Sequence, residues 1–220
     1  MKYQSVFDII GPVMVGPSSS HTAGAARIGR AARLIYGKEP TWATIHLYGS
    51  FAKTYRGHGT DLAIVGGLLG YDTDDDRIRF ALETADKRNM KIEFIEDTAA
   101  TEHPNTARVK LGTDDGSMEL VGVSIGGGKV EITELNGFEL RMSGNKPAIL
   151  IMHNDRFGAI ASVTQILAQH EINIAHMEVS RKDVGKDALM VIETDQNVED
   201  DVMHILEKAS HINRVSRLIN

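Results

Sequence analysis

Cysteine is missing altogether from the 220-residue chain. Its absence excludes disulfides, thiolate catalysis and any iron–sulfur cluster that the chain could hold by itself. Positive charge is also in short supply: 24 Lys and Arg stand against 30 Asp and Glu, a net charge of −6. A nucleic-acid or anionic-membrane surface needs a basic footprint, so both partners are excluded. No apolar run approaches the ~20 residues of a bilayer-spanning helix, and no basic-plus-apolar leader opens the chain. The expected compartment is therefore the cytoplasm. Aromatic residues are few, at 5% with a single Trp, and proline occurs five times.

What is present is a hydrophobic fraction of 42% and a charged fraction of 25%, as in ordinary globular proteins. The length suits one or two domains and buries a core without covalent staples. Two excesses need a reason: nine histidines, and 21 glycines, many of them clustered.

The chain changes character at Arg141–Pro147, a polar stretch with Gly, Asn and Pro that reads as a linker. It separates residues 1–140 from residues 148–220. The second segment parses as strand Ala148–Met152, helix Ala159–His170, strand Ile172–Ser180, strand Ala188–Glu193, helix Val198–Ala209 and strand Ile212–Ile219. Asn154 or Asp155 is the expected cap of its first helix. The order βαββαβ is the ferredoxin-like split unit, with two one-striped helices covering one face of a four-stranded sheet. In the first segment, helices are expected at Val6–Ile10, Ala23–Tyr36, Gly57–Leu69 and Arg77–Lys87. Strands are expected at Thr44–Tyr48, Lys91–Ile95, Arg108–Leu111, Met118–Ile125 and Val130–Glu134. The fold class is α+β throughout.

Four loops carry chemistry. Gly16-Pro17-Ser18-Ser19-Ser20-His21-Thr22 precedes a helix, where free N–H groups and the dipole favour an anion. A cap explains one serine, but not three followed by His and Thr. No Lys stands in a Walker frame. Gly57-His58-Gly59-Thr60-Asp61 holds an imidazole between glycines, and His103-Pro104-Asn105-Thr106 sets a histidine beside an amide. Ser124-Ile125-Gly126-Gly127-Gly128 lacks dinucleotide spacing and suits a close backbone approach. No metal-ligand spacing is found among the histidines. Together the loops offer hydroxyls, imidazoles and backbone, but no electrophile and no activated nucleophile. They look like half a site.

These motifs, with Leu47-Tyr48-Gly49-Ser50 between the first and second, occur in the order found in the beta chain of the two-subunit bacterial iron–sulfur L-serine dehydratases, which this sequence resembles over nearly its whole length. The last segment resembles an ACT domain, and the first is similar to the substrate-binding-type domain of some phosphoglycerate dehydrogenases. The resemblance implies a lyase subunit, inactive alone, that converts L-serine to pyruvate and ammonia and feeds gluconeogenesis. It implies a [4Fe–4S] cluster on a cysteine-containing alpha chain, whose open iron acts on the substrate hydroxyl. No metal ligand is assigned to this chain.

By the same resemblance, Ser18, Ser19, Ser20 and Thr22 line the substrate carboxylate. His21, His58 and His103 are the candidates for proton transfer, and Asp61 would fix a histidine tautomer. Asn105, Gly126 and Gly127 would shape the pocket. In the ACT-like segment an effector would sit at Asn154, Asp155, Arg156 and Gly158, with Asn173 opposite and a second copy across a dimer interface. Phe157 stands where many relatives have Pro. The competing reading is a non-catalytic, amino-acid-sensing regulatory subunit.

Overall fold

A computed structural model describes residues 12–144 and 146–219. The helix expected at Val6–Ile10 lies outside them. A π-turn at Ser19–Ala23 runs into helix α1, Gly24–Tyr36, which stops at Gly37 in the left-handed region (φ 88°). Strand β1 is Trp42–Leu47, followed by helices α2 (Gly49–His58) and α3 (Thr60–Leu68). A 3₁₀ turn, Asp76–Phe80, leads into α4 (Ala81–Lys87) and β2 (Lys91–Glu96). Four strands follow: β3 (Thr106–Thr113), β4 (Gly116–Gly126), β5 (Lys129–Leu135) and β6 (Phe138–Ser143).

The first sheet has the order β2-β1-β3-β4-β5-β6, parallel between β1 and β2 and antiparallel elsewhere. Strand β1 alternates as its sequence does: Ala43, Ile45 and Leu47 are buried, and Trp42, Thr44 and His46 are half-buried. Helices α1 and α3 cross almost backbone to backbone. A Cβ on Gly29 would lie 2.1 Å from the Ile64 carbonyl oxygen, and one on Gly67 would lie 2.1 Å from that of Ala26. The small residues Ala25, Ala26, Ala32 and Ala63 of these two helices are buried in the same core.

The C-terminal part comprises β7 (Ala148–Asn154), α5 (Ala159–Gln169), β8 (Ile174–Arg181), β9 (Asp187–Thr194), α6 (Asp200–Glu207) and β10 (Ile212–Leu218). Its sheet order is β10-β7-β9-β8, the ferredoxin-like arrangement. Ile149, Ile151, Met190 and Ile192 pack under α5 and α6 with Val163, Leu167, Val202 and Leu206. The alternate residues Leu150, Leu189, Val191 and Leu218 enter the core of the first unit. The edge strand β8 stays partly open to solvent, but along β7 and β9 both faces of this sheet are therefore buried. That is why β9 reads as the unbroken apolar run Ala188-Leu189-Met190-Val191-Ile192 rather than alternating.

Several local expectations are corrected. Residues 141–143, read as linker, belong to β6, which the sequence reading missed. Gly57 and His58 end a helix rather than open one: α2 was not anticipated, and Gly59 (φ 67°) separates it from α3. Its signal is weak, because Phe51 and Tyr55 are its only buried large side chains and Tyr48 supplies no side-chain cap. Helix α5 is preceded by Gly158 (φ 88°) with no side-chain cap, not by Asn154 or Asp155. The first half of the helix expected from Arg77 is a 3₁₀ turn.

Candidate functional site

The π-turn, the α2–α3 junction and the loop before β3 meet at one end of the first sheet. Two reciprocal hydrogen bonds lock the turn to the junction. The Thr22 hydroxyl donates to the His58 carbonyl oxygen (3.1 Å), and the Thr60 hydroxyl donates to the His21 carbonyl oxygen (2.8 Å). Both threonines are buried, and each spends its hydroxyl proton on this tie. Ser18 caps the turn through the His21 backbone N–H (3.1 Å).

The His21 ring is engaged at both nitrogens. Nε2 lies 2.8 Å from Ser50 Oγ, and Nδ1 lies 3.2 Å from Ser20 Oγ and 3.4 Å from Ser18 Oγ. Its edge meets Phe51 at 5.3 Å between ring centroids and His58 at 4.9 Å. Burial, and then the neighbouring His58, hold the His21 pKa below its ordinary 6.5, so the ring is neutral at pH 7. His58 differs: its Nδ1 is buried and has no hydrogen-bond partner among the described residues.

The loop 103–105 is attached through Pro104, whose carbonyl accepts the Ser50 N–H at 2.7 Å. Gly49 (φ 54°) allows this approach, since a Cβ there would meet the Pro104 backbone at 2.7 Å. His103 Nδ1 accepts the Asn105 N–H (3.1 Å), and its carbonyl takes the hydroxyls of Thr101 and Thr106. His103 therefore organises the loop. Asn105 Oδ1 is buried and unpartnered, as is Ser124 Oγ, whose backbone N–H donates to the Asn105 carbonyl at 2.9 Å. Three orphaned polar atoms thus lie on segments joined to one another.

Asp61 does not reach a histidine. Its carboxylate accepts the Leu62 N–H (2.9 Å), and burial raises its pKa. Gly126, Gly127 and Gly128 take φ of 97°, 60° and 73°, a left-handed run that favours glycine, and Arg27 Nη1 donates to the Gly128 carbonyl. On the outer side of α2, a 520 Å³ depression is lined by Gly49, Lys53, Asp97, Thr101 and Pro104 among others. Sequence reasoning gave no role to Ser50, Phe51, Thr60 or Ser124. The Tyr48-Gly49-Ser50 and Thr60 positions were visible only as parts of motifs.

In the C-terminal part, Asp155, Arg156, Phe157 and Gly158 line a 490 Å³ cavity with Arg181, Val184 and Gly185. Asp155 accepts from the Gly185 N–H and Arg181 Nη1, both at 3.0 Å, which lower its pKa. Asn154 pairs with Asp187 at one end of β9, whereas Asn173 precedes Ile174, which pairs with Thr194 at the other end. Asn173 is therefore not opposite Asn154 within one chain.

Among the described residues, no group of His, Asp and Glu is arranged to hold a metal ion, and no helix is long and apolar enough to cross a membrane.

Fold and site define the class: a mixed α+β unit with a histidine–hydroxyl cluster, carrying an ACT-type module. Comparison with known proteins narrows it. The family model "Serine dehydratase beta chain" matches residues 5–89, and "ACT domain" matches residues 148–211. The chain is 59% identical to the "Probable L-serine dehydratase, beta chain" of Bacillus subtilis (strain 168), over 99% of each chain. It is 36% identical to the "L-serine dehydratase, beta chain" of Peptoniphilus asaccharolyticus, over 87% of each. A D-3-phosphoglycerate dehydrogenase of Bacillus subtilis (strain 168) is 31% identical over 55% of this chain and 23% of its own length. The chain belongs to the L-serine dehydratase beta-chain family and is an enzyme subunit.

Proposed function

We propose that this chain is the substrate-gripping half of a cytoplasmic L-serine dehydratase. The enzyme would deaminate L-serine to pyruvate and ammonia, feeding gluconeogenesis. Hydroxyls and imidazoles without a single thiolate do not fit an iron–sulfur cluster, so the [4Fe–4S] group belongs to a cysteine-containing alpha chain. Residues 1–140 form the substrate unit, and residues 148–220 the ACT unit.

The observation that carries this reading is the contrast between two adjacent imidazoles. His21 is committed at both nitrogens, while His58 keeps a buried Nδ1 with nothing to bind. A general base needs a free lone pair within reach of its proton. His58 Nδ1 accepts the substrate Cα proton, and neutral His21 holds the His58 ring by its edge. Asn105 Oδ1 accepts from the substrate ammonium group. Ser18, Ser19 and Ser20 present the turn to the carboxylate, and Gly126 and Gly127 give the backbone room to approach. His103 positions Asn105. The ACT unit binds its effector at Asn154, Asp155, Arg156 and Gly158, with Asn173 supplied by a second copy of the chain.

In the assembled two-chain enzyme, His58→Ala lowers kcat by ~10²-fold or more, the usual contribution of a general base. Unchanged turnover in that variant would sink the assignment. Full turnover by the cysteine-bearing chain alone would favour the sensor reading.

A further inference from the structure

A third concave site lies along α1, where the first unit meets the end of β10. It encloses 300 Å³ and is lined by Arg27, Arg30, Leu34, Asp72, Gly144 and Leu218, among others. That volume is at the lower end for small-molecule sites.

Among the described residues its charges do not balance. Arg27 and Arg30 stand three residues apart on one helix, where like charges repel. Among the described residues one carboxylate serves both: Asp72 acts on Arg27 and is 3.4 Å from Arg30, and the side chains of that ion pair are 33% and 54% exposed. An ion pair so open to solvent is weak. Arg27 spends Nη1 on the Gly128 carbonyl and directs no other hydrogen bond to a described residue. Its partly buried guanidinium is held below its usual pKa, first by burial and further by Arg30, with Asp72 opposing. A guanidinium offers five N–H donors in a planar fork matched to an oxyanion. Leu34, one turn beyond Arg30 on the same helix, and Leu218 at the end of β10 line the cleft beside the arginines.

We propose that this cleft is a binding site for a small aliphatic carboxylate, its anionic end on Arg27 and Arg30 and its short alkyl body against Leu34 and Leu218. The occupant would touch α1, whose N-terminal turn carries His21, and β10 of the ACT unit at once. Through Arg27 it would also reach the glycine run 126–128. The site is separate from both the His58 cluster and the Asp155–Gly158 cavity, so the proposal stands whether or not His58 is the base.

The test is calorimetric titration of the full chain with isobutyrate, at constant ionic strength, with inorganic phosphate as competitor. Saturable binding of isobutyrate is expected, weakened at least tenfold by Arg30→Gln and little affected by phosphate. Arg30→Lys, which keeps the charge but loses the fork, should weaken it to an intermediate degree. No saturable heat, equal binding by Arg30→Gln, or displacement by equimolar phosphate would each overturn the assignment. A Leu34→Asp variant checks the apolar wall independently: retained isobutyrate affinity there would also count against it.

Discussion

At the scale of single residues, the informative contrast is between satisfied and unsatisfied imidazoles. Sequence could name His21, His58 and His103 as candidates, since each stands in a loop of small polar residues. It could not sort them, because sorting depends on which nitrogen meets Ser50, Ser20 or the Asn105 N–H across 29 residues of chain or across a turn. Burial of His21 also has a consequence for stability. A histidine whose folded pKa lies below the unfolded 6.5 binds fewer protons in the folded state. Its contribution is therefore fully present above 6.5 and is lost as pH falls through the lower folded value. Denaturation midpoints measured from pH 8 to pH 5 should drop more steeply for the wild type than for His21→Gln. Parallel profiles would show that His21 does not titrate in this way.

At the scale of elements, two glycines give predictions of opposite sign. Gly67 sits where α3 touches α1, and a methyl there would strike backbone, at 2.1 Å from the Ala26 oxygen and 2.5 Å from the Arg30 nitrogen. Backbone cannot rotate aside as a side chain can, so Gly67→Ala should destabilise by about 3 kcal/mol. Gly57 lies inside α2 with nothing within 4 Å of its added Cβ. Gly57→Ala should stabilise by up to ~1 kcal/mol through helix propensity. Urea unfolding of the two variants measures both, and a Gly67→Ala variant as stable as wild type would contradict the close crossing. The ACT unit is legible because its buried strands are short apolar runs bounded by polar turns and its helices carry a period-3.6 stripe. Helix α2 was not, because glycines flank it and its apolar stripe is two residues wide. Strand β6 was hidden because Arg141 and Ser143 look like linker, yet the Ser143 N–H is held by the buried Glu193 carboxylate and the Arg141 N–H by Glu178. Such pairings span the boundary between units, where local pattern carries no information.

At the scale of the whole molecule, the two sheets form one body because the central strands of the ACT sheet, β7 and β9, have no solvent face left. Sequence implied a sheet covered on one side by α5 and α6; what covered the other side could not be read from residues 148–220 alone. The first unit does so, and it adds polar ties: Arg214 Nη2 donates to the Tyr36 carbonyl at the end of α1 (3.1 Å), and Lys182 Nζ donates to the Asn136 carbonyl (2.7 Å). The ACT unit is thereby tied to the last residue of α1, and the turn that carries His21 runs into the first. Leu189 tests this coupling, since it is 1% exposed and faces the first unit rather than α5 and α6. Leu189→Ala removes core packing worth about 2–4 kcal/mol. If the units unfold together, calorimetry of the full chain shows a single transition. In the variant that transition moves down as a whole, by roughly 5–15 °C at 2–4 °C per kcal/mol for a chain of this size. Two resolved transitions, with only one displaced by the substitution, would mean that the sheets melt independently. The route from β10 to α1 would then have no mechanical basis, because a unit that can part from its neighbour cannot steer the neighbour's histidines.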